Sequence, residues 1–166
     1  MNNYKARSSA GWLWLLGLGI FILVIIVFPM LFVFRETPVW VSFMNVGLGL
    51  LIGVPFIYIA LQVREISYIF HADHLEISMG RLIQYKVKFS EINELVKKDL
   101  TITLWSSMRL PGLALFKVPY ADEGVVSMCA TSASKNILLI KTEHGKYGIT
   151  PAAETDFVNM LTSKIQ

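Results

Sequence analysis

The stretch that decides the fold is WLWLLGLGIFILVIIVFPMLFVF, residues 12–34, which contains no charged residue. A helix of this length spans about 35 Å, enough to cross a hydrocarbon core of about 30 Å. Residues 39–63 repeat the pattern, and only residues 35–38 separate the two stretches. Because lipid cannot satisfy backbone polar groups, each stretch is predicted to be a transmembrane helix, and the short link makes the two helices antiparallel neighbours.

The remainder of the chain divides into a short tail, residues 1–11, and a domain, residues 64–166, of ordinary globular composition. From residue 62 onward there are 12 Lys and Arg against 11 Asp and Glu. Such an even, interleaved balance argues against nucleic-acid binding, which needs a clustered basic surface. The single cysteine, Cys129, excludes an intrachain disulfide and is predicted to be a buried small hydrophobe.

The charges that flank the two apolar stretches predict their orientation. Lys5 and Arg7 precede the first stretch and Arg64 follows the second, whereas Arg35 lies between them. This bias predicts a cell-membrane protein with two spans and with both termini in the cytoplasm. The first stretch is too long for the apolar core of a cleaved signal peptide, and no A-x-A site follows it.

Small residues in the second span indicate close helix packing. Gly49 and Gly53 have the G-x-x-x-G spacing that lets two helix backbones approach. One interpretation is a homo-oligomer face. The other is packing against the first span, where Gly17 and Gly19 offer a matching small patch. Neither span holds an ionisable residue, which argues against a transporter or a proton relay.

From Ile66 the apolar period changes to two, which is typical of half-buried strands. Residues 66–89 are predicted to be a three-stranded meander, and residues 90–99 fit either a helix or a strand. Further strands are predicted at the following positions: 100–104, 113–118, 125–131, 136–141 and a hairpin over 143–149.

The chain ends on an amphipathic helix predicted over residues 151–164, with Thr150 as N-cap and Pro151 at the first helical position. Its apolar stripe contains Phe157 and Leu161. The predicted fold class is therefore two transmembrane α-helices plus a mainly-β domain. That domain has about seven antiparallel strands in a bent sheet or barrel, capped by a C-terminal α-helix.

Several pieces of the domain, in this order, resemble one family. They are residues 68–92, Arg109-Leu110-Pro111-Gly112, residues 135–140 and the run 145–151. Together they resemble the membrane-anchored members of the bacterial pleckstrin-homology (PH) domain family. The resemblance implies a PH-like fold that binds phosphoinositides, peptides or proteins. The first hairpin holds Asp73 and no Lys or Arg, so a lipid headgroup is a less favoured ligand.

An irregular loop is predicted over residues 105–112, before the predicted strand 113–118. This loop and that strand hold the best candidates for ligand binding, since loops often carry binding residues. The predicted ligand-binding residues are Arg109, Gly112, Trp105 and Lys117. The alternative for Arg109 is a structural role, capping carbonyls or pairing with a carboxylate. Trp105 is either an anchor at the membrane interface or a core residue.

Lys97 and Lys98 are predicted to face the membrane surface, where each basic residue near anionic lipid contributes about 1 kcal/mol. The alternative is a solvated turn. His71, Asp73 and His74 lie close in sequence, but a spacing of three in a strand–turn is expected to put the two rings on different faces. No metal site and no cofactor are therefore predicted.

No catalytic sequence motif such as G-x-S-x-G, H-E-x-x-H or a P-loop occurs in the chain, so the protein is predicted not to be an enzyme. The predicted function is a non-catalytic binding or scaffold module that recruits a protein or peptide at the lipid bilayer. The alternative is a membrane-complex assembly subunit that acts through its transmembrane hairpin.

Overall fold

A computed structural model of the protein describes residues 2–32, 38–106 and 109–165. The chain forms two compact units. One is Trp12–Leu61, and the other joins Met1–Gly11 to Gln62–Gln166. Most of the predicted link 35–38, together with the last two residues of the predicted first span, lies outside the described residues.

The helices and strands are as follows: β1 (Asn2–Lys5), α1 (Gly11–Phe32), α2 (Val39–Val63), β2 (Ile66–Phe70), β3 (His74–Met79), β4 (Ile83–Lys88), β5 (Ile92–Lys98), β6 (Arg109–Leu110), β7 (Leu113–Tyr120), β8 (Gly124–Ala130), β9 (Ile137–Thr142), β10 (Gly145–Ile149) and α3 (Glu154–Ile165). A 3-10 turn, Phe89–Glu91, links β4 to β5.

The predicted apolar stretches are two helices, each long and apolar enough to cross a membrane. The qualifying segments are Gly11–Pro29 and Val39–Val63. Large apolar side chains along both helices are exposed in the protein, including Phe43 at 75% and Trp40 at 65%. Such a surface fits a lipid environment, because in water it would be one large exposed apolar patch.

The first sheet has the strand order β1-β2-β3-β4, with every neighbouring pair antiparallel. Strands β2 to β4 are the predicted three-stranded meander, which the structure confirms. Strand β1 comes from the tail that precedes the first apolar helix, and it is an addition to the predicted strands. Its residues pair in register with β2, for example Tyr4 with Tyr68 and Lys5 with Ser67.

The second sheet has the strand order β5-β9-β10-β8-β7-β6. Strands β10 and β8 are parallel, and the other neighbouring pairs are antiparallel. The prediction of a bent-sheet domain capped by a C-terminal helix is confirmed, but the alternative of a barrel is wrong. The described strands form two sheets that do not close, because the turn Phe89–Glu91 sends β4 and β5 into different sheets.

The structure decides the conformation of one segment that the sequence left open and differs from the prediction in the next segment. The ambiguous residues 90–99 contain strand β5, which pairs with β9. The predicted strand 100–104 is reduced to one isolated bridge between Ile102 and Tyr120. The reason is local, since the Thr103 amide donates to the Ser106 hydroxyl at 3.0 Å and turns the chain away from the sheet.

Helix α3 begins at Glu154, three residues later than predicted. Thr150 is not its N-cap, because the Thr150 hydroxyl accepts the Thr131 N–H at 2.8 Å and holds the end of β10 beside β8 instead. Pro151 forms an isolated bridge with Ala6 of the tail. Acidic residues occupy the first turn of the helix, where they suit its positive end.

The β-sheet unit has one buried apolar cluster in the second sheet, which includes Met128 and Leu139, and another where α3 meets the first sheet. Phe157 is fully buried, and its ring centroid lies 5.9 Å from Tyr68 and 5.1 Å from Phe70. The buried Tyr68 hydroxyl donates to the Cys129 carbonyl at 2.9 Å and accepts the Thr150 N–H at 3.1 Å. Cys129 is itself fully buried, as predicted, and burial raises the pKa of its thiol to about 12.

Candidate functional site

Arg109 and Gly112 lie in the tight hairpin formed by β6 and β7, Arg109 in strand β6 and Gly112 in the turn itself. The Arg109 Nε–H donates to the Ser106 carbonyl at 2.9 Å, so the side chain fixes the preceding loop. Gly112 has φ +76°, in the left-handed region that favours glycine. The Ser9 hydroxyl donates to the Gly112 carbonyl and would collide with any added Cβ. This turn therefore receives the protein's own N-terminal segment.

Trp105 and Lys117 flank that turn in sequence. The Trp105 side chain is 83% exposed, which rules out the core position considered for it, and the neighbouring Leu104 is fully exposed. Lys117 lies in β7 opposite Ser127 of β8, and it is exposed. The structure thus places Arg109 and Gly112 in one hairpin, with Trp105 before it and Lys117 in its second strand.

Lys97 and Lys98 lie in β5 and both face carboxylates. The Lys97 Nζ lies 2.8 Å from Glu154 at the start of α3, and the same carboxylate lies 3.2 Å from the Arg7 guanidinium of the tail. Glu154 therefore links the tail, β5 and α3. Lys98 pairs with Asp122 at 2.8 Å, a geometry that differs from a solvated turn.

Glu123 is the centre of a lysine cluster formed by the β7–β8 turn and the second sheet. Its side chain is 7% exposed and lies 2.7 Å from Lys146 and 2.8 Å from Lys98. Lys141 lies 3.7 Å away. The hydrogen bonds from Lys146 and Lys98 lower the pKa of the Glu123 carboxyl from 4.5 to about 2. The cluster ties β5, β9 and β10 to one turn and has the character of a structural network.

Replacing Glu123 with Gln is expected to lower the free energy of unfolding by about 1–2 kcal/mol at pH 7, since charge-assisted hydrogen bonds are lost near the surface. A carboxyl whose folded pKa is depressed stabilises fully above its unfolded pKa of 4.5, and this contribution is lost as the pH falls toward 2. The difference between native protein and variant should therefore shrink below pH 4.5. Urea unfolding followed by circular dichroism in detergent measures it.

The matched control for that variant is Glu143→Gln, because Glu143 is an exposed glutamate in the β9–β10 turn. We expect this control to change stability by less than about 0.5 kcal/mol. Equal losses in the two variants would contradict a specific role for the lysine cluster.

Gly49 and Gly53 of α2 lie against α1. A Cβ at Gly49 would lie 3.3 Å from Ile26, and one at Gly53 would lie 2.7 Å from Leu23 and 3.0 Å from the Gly19 carbonyl. The two glycines therefore permit close packing within the hairpin. Added side-chain atoms would force the two helices apart, as expected where small residues line a helix–helix contact.

A cleft of about 450 Å³ opens beside α3. We call it the α3 cleft, and it is lined by Asn2, Phe70, His71, Ala72, Met160 and Lys164. Its walls come from β1, from the β2–β3 turn and from one side of α3. The cleft thus combines an amide, apolar groups and a lysine ammonium, a mixture suited to a ligand with both apolar and anionic groups.

The tail helps to build this cleft. The Tyr4 ring of β1 stands edge-on to Phe70 and Phe157, with centroids 5.6 and 5.4 Å away. The Lys5 carbonyl accepts the Ala152 N–H at 3.0 Å, just before α3. Strand β1 is therefore held between β2 and the start of α3, which places Asn2 at the cleft.

The two histidines of the first hairpin do not lie on different faces, and that prediction is wrong. The rings of His71 and His74 stack with centroids 4.5 Å apart and planes 6° apart. His71 and His74 flank a turn whose two central residues are 72 and 73, and the His71 N–H donates to the His74 carbonyl at 2.9 Å. Residues directly opposite each other at the end of a hairpin share a face, whatever their separation along the chain.

Sequence reasoning missed the residues of the α3 cleft. Asn2 and Tyr4 belong to a strand with only one apolar–polar alternation, too short a signal to distinguish from a polar tail. Met160 follows Phe157 by three residues and so has the spacing of the apolar stripe of the C-terminal helix, but that pattern does not reveal that it borders a cleft. A sequence signal did exist for His71 and His74, since residues flanking a two-residue turn lie opposite each other.

A family model described as Bacterial PH domain matches residues 66–165. The chain matches no curated protein and no solved structure.

Proposed function

We propose that the protein is a membrane-anchored, non-catalytic module that binds a protein or peptide in the α3 cleft. The chain belongs to the bacterial PH-domain family. The family is generally non-catalytic. Two groups that could take part in chemistry have structural surroundings: Arg109 donates to a loop carbonyl, and the thiol of Cys129 is buried, which raises its pKa. Binding without catalysis is consistent with both.

The α3 cleft is the observation that carries this proposal. Its lining sets the apolar groups of Phe70 and Met160 beside the Asn2 amide and the Lys164 ammonium. A methionine side chain adapts to different apolar partners. The complementary ligand is a peptide that offers one apolar side chain together with a carboxylate, which Lys164 would pair.

The two flanks of the helical hairpin support the proposed topology. Residues before α1 and residues after α2 pair in one sheet, through β1 and β2. Two spans between them return the chain to the side on which it started, so this pairing supports both termini on one side of the membrane. Lys5, Arg7 and Arg64 flank the spans, which favours the cytoplasmic side. The ligand is therefore a cytoplasmic one.

Photo-crosslinking of the full chain in its native membrane tests the proposal. A benzophenone amino acid at position 72 lies at the cleft and leaves Lys164 in place, whereas the same group at Thr162 lies on an exposed position of α3 about 200° around the helix from Lys164. We expect a discrete adduct with a cytoplasmic protein at position 72 and none at 162. An acidic peptide taken from that protein should compete with the adduct.

The variant Met160→Glu supplies a second arm, since a carboxylate at the cleft would repel an acidic ligand. Its adduct should fall at least tenfold, whereas Asn159→Glu, on an exposed position, should leave it unchanged. Adducts of equal intensity at positions 72 and 162, or adducts only with lipid, would overturn a peptide-binding role for the cleft.

A further inference from the structure

Three side chains of the first hairpin have the geometry of metal ligands. His71, His74 and Glu76, which we call the histidine cluster, each offer one ligand atom, and these atoms lie within 4.8 Å of one another. His71 and His74 flank the β2–β3 turn, and Glu76 follows two residues later on the same face of β3. The hairpin thus brings three donors together on one surface of the first sheet.

The second observation concerns the hydrogen bonding of the two ring nitrogens of His74. Its Nδ1 lies 2.7 Å from an Asp73 carboxylate oxygen. When Nδ1–H donates to that carboxylate, Nε2 is the ring atom that remains to bind a ligand. That Nε2 is buried and has no hydrogen-bond partner among the described residues. Buried polar atoms without a partner are uncommon and call for one.

The carboxylate of Glu76 is also held in place. One of its oxygens lies 3.0 Å from His71 Nε2, and the other accepts from Gln84 at 3.4 Å. In a tetrahedral site with bonds of about 2.0–2.1 Å, donor atoms lie about 3.3 Å apart. The His71–Glu76 pair already has this spacing. The ligand atom of His74 lies within 4.8 Å of the other two, so a bound ion would draw this ring closer.

We propose that His71, His74 and Glu76 bind a divalent ion of the zinc type, with Asp73 orienting His74 from behind. Two imidazoles and one carboxylate suit Zn²⁺, whereas Mg²⁺ and Ca²⁺ prefer all-oxygen sites. A carboxylate on the far nitrogen of a ligating histidine is the usual support for such a ring.

Positive charge on the neighbouring strand limits the affinity. Lys86 and Lys88 of β4 lie opposite Glu76 and His74, although Lys88 pairs with Glu91 at 3.2 Å. We therefore expect a dissociation constant in the micromolar range. The inference does not depend on the proposed function, although His71 also lines the α3 cleft.

Calorimetric titration of Zn²⁺ into the full chain in detergent tests the site. The protein is purified through a tag without histidine and is first stripped with a chelator. We expect one Zn²⁺ per chain, at least a 30-fold loss of affinity in His74→Ala and in His71→Ala, and no heat with Mg²⁺. Substitution by Co²⁺ should give the visible absorption of a four-coordinate site, which the two variants should lack.

The matched control is His144→Ala, because His144 is the third histidine of the chain and lies exposed in a distant turn. This variant should bind as tightly as the native protein. Glu76→Gln preserves the side-chain shape and should lose at least tenfold in affinity, which keeps the test decisive if an alanine variant does not fold. Unchanged Zn²⁺ affinity in folded His74→Ala or Glu76→Gln protein would overturn the proposal, as would a native chain that binds no Zn²⁺.

Discussion

Replacing Phe157 with alanine is expected to lower the free energy of unfolding of the PH-like domain by about 3–5 kcal/mol, the range for a large aromatic lost from a core. Phe157 is fully buried, and its ring lies within 6 Å of Tyr4, Tyr68 and Phe70. The substitution removes a side chain of α3 that contacts both β1 and β2. The helix should therefore detach, and with it one wall of the α3 cleft.

Hydrogen exchange of the full chain in detergent measures this effect segment by segment. In the variant, amides of α3 and β1 should exchange at least a hundred times faster, because local opening follows the local free energy. Asn159→Ala, on an exposed position of the same helix, should leave these rates nearly unchanged. Protected α3 amides in the Phe157 variant would contradict the role assigned to this ring.

Replacing Tyr4 with alanine is the second large expected effect, a loss of about 2–3 kcal/mol. Tyr4 is half-buried and makes two edge-on ring contacts, with Phe70 and Phe157. Each such pair contributes about 0.5–1.5 kcal/mol beyond the area that it buries. Because Tyr4 is the only residue of β1 that is not exposed, its loss should release the whole strand from β2.

This prediction can be checked by limited proteolysis of the full chain. The tail of the Tyr4 variant should be cut at Lys5 and Arg7 by trypsin under conditions in which the native tail is protected. Asn3→Ala removes an exposed side chain of the same strand and is the matched control. A native tail that trypsin cuts as fast as that of the Tyr4 variant would show that β1 is not part of the folded domain.

Much of the architecture could be predicted because its causes are local. The two apolar helices follow from long charge-free runs, and the strands β2 to β4 follow from a period of two between tight turns. Phe157 and Leu161, at helical spacing, identified the buried side of the last helix. In each case the element can be predicted from residues that are close together in the sequence.

The parts that could not be predicted depend on residues distant in sequence. Strand β1 pairs with β2 across about 60 residues, and its four residues have almost no pattern of their own. Thr150 has the sequence position of a helix cap, but a hydrogen bond to Thr131 of the neighbouring strand gives it another role. The α3 cleft is likewise formed by residues from both ends of the chain.

The domain is built from both flanks of a helical hairpin. The tail contributes Tyr4 to the core and Ser9 to the turn at Gly112, while Arg7 reaches Glu154 at the start of α3. The segment after the hairpin contributes the remaining strands and α3. Any ligand of the α3 cleft would therefore meet residues from both flanks.

Disulfide trapping between β1 and β2 tests this central claim most directly. Lys5 and Ser67 are opposite in register, and side chains so placed have Cβ atoms about 4.5–5.5 Å apart. With Lys5→Cys and Ser67→Cys together, mild oxidation of membranes should give an intrachain crosslink in most molecules. The pair Lys5→Cys and Gln84→Cys, which lie on strands at opposite edges of the sheet, should give little. Equal yields for the two pairs, or no crosslink for the first, would contradict a domain assembled from both sides of the hairpin.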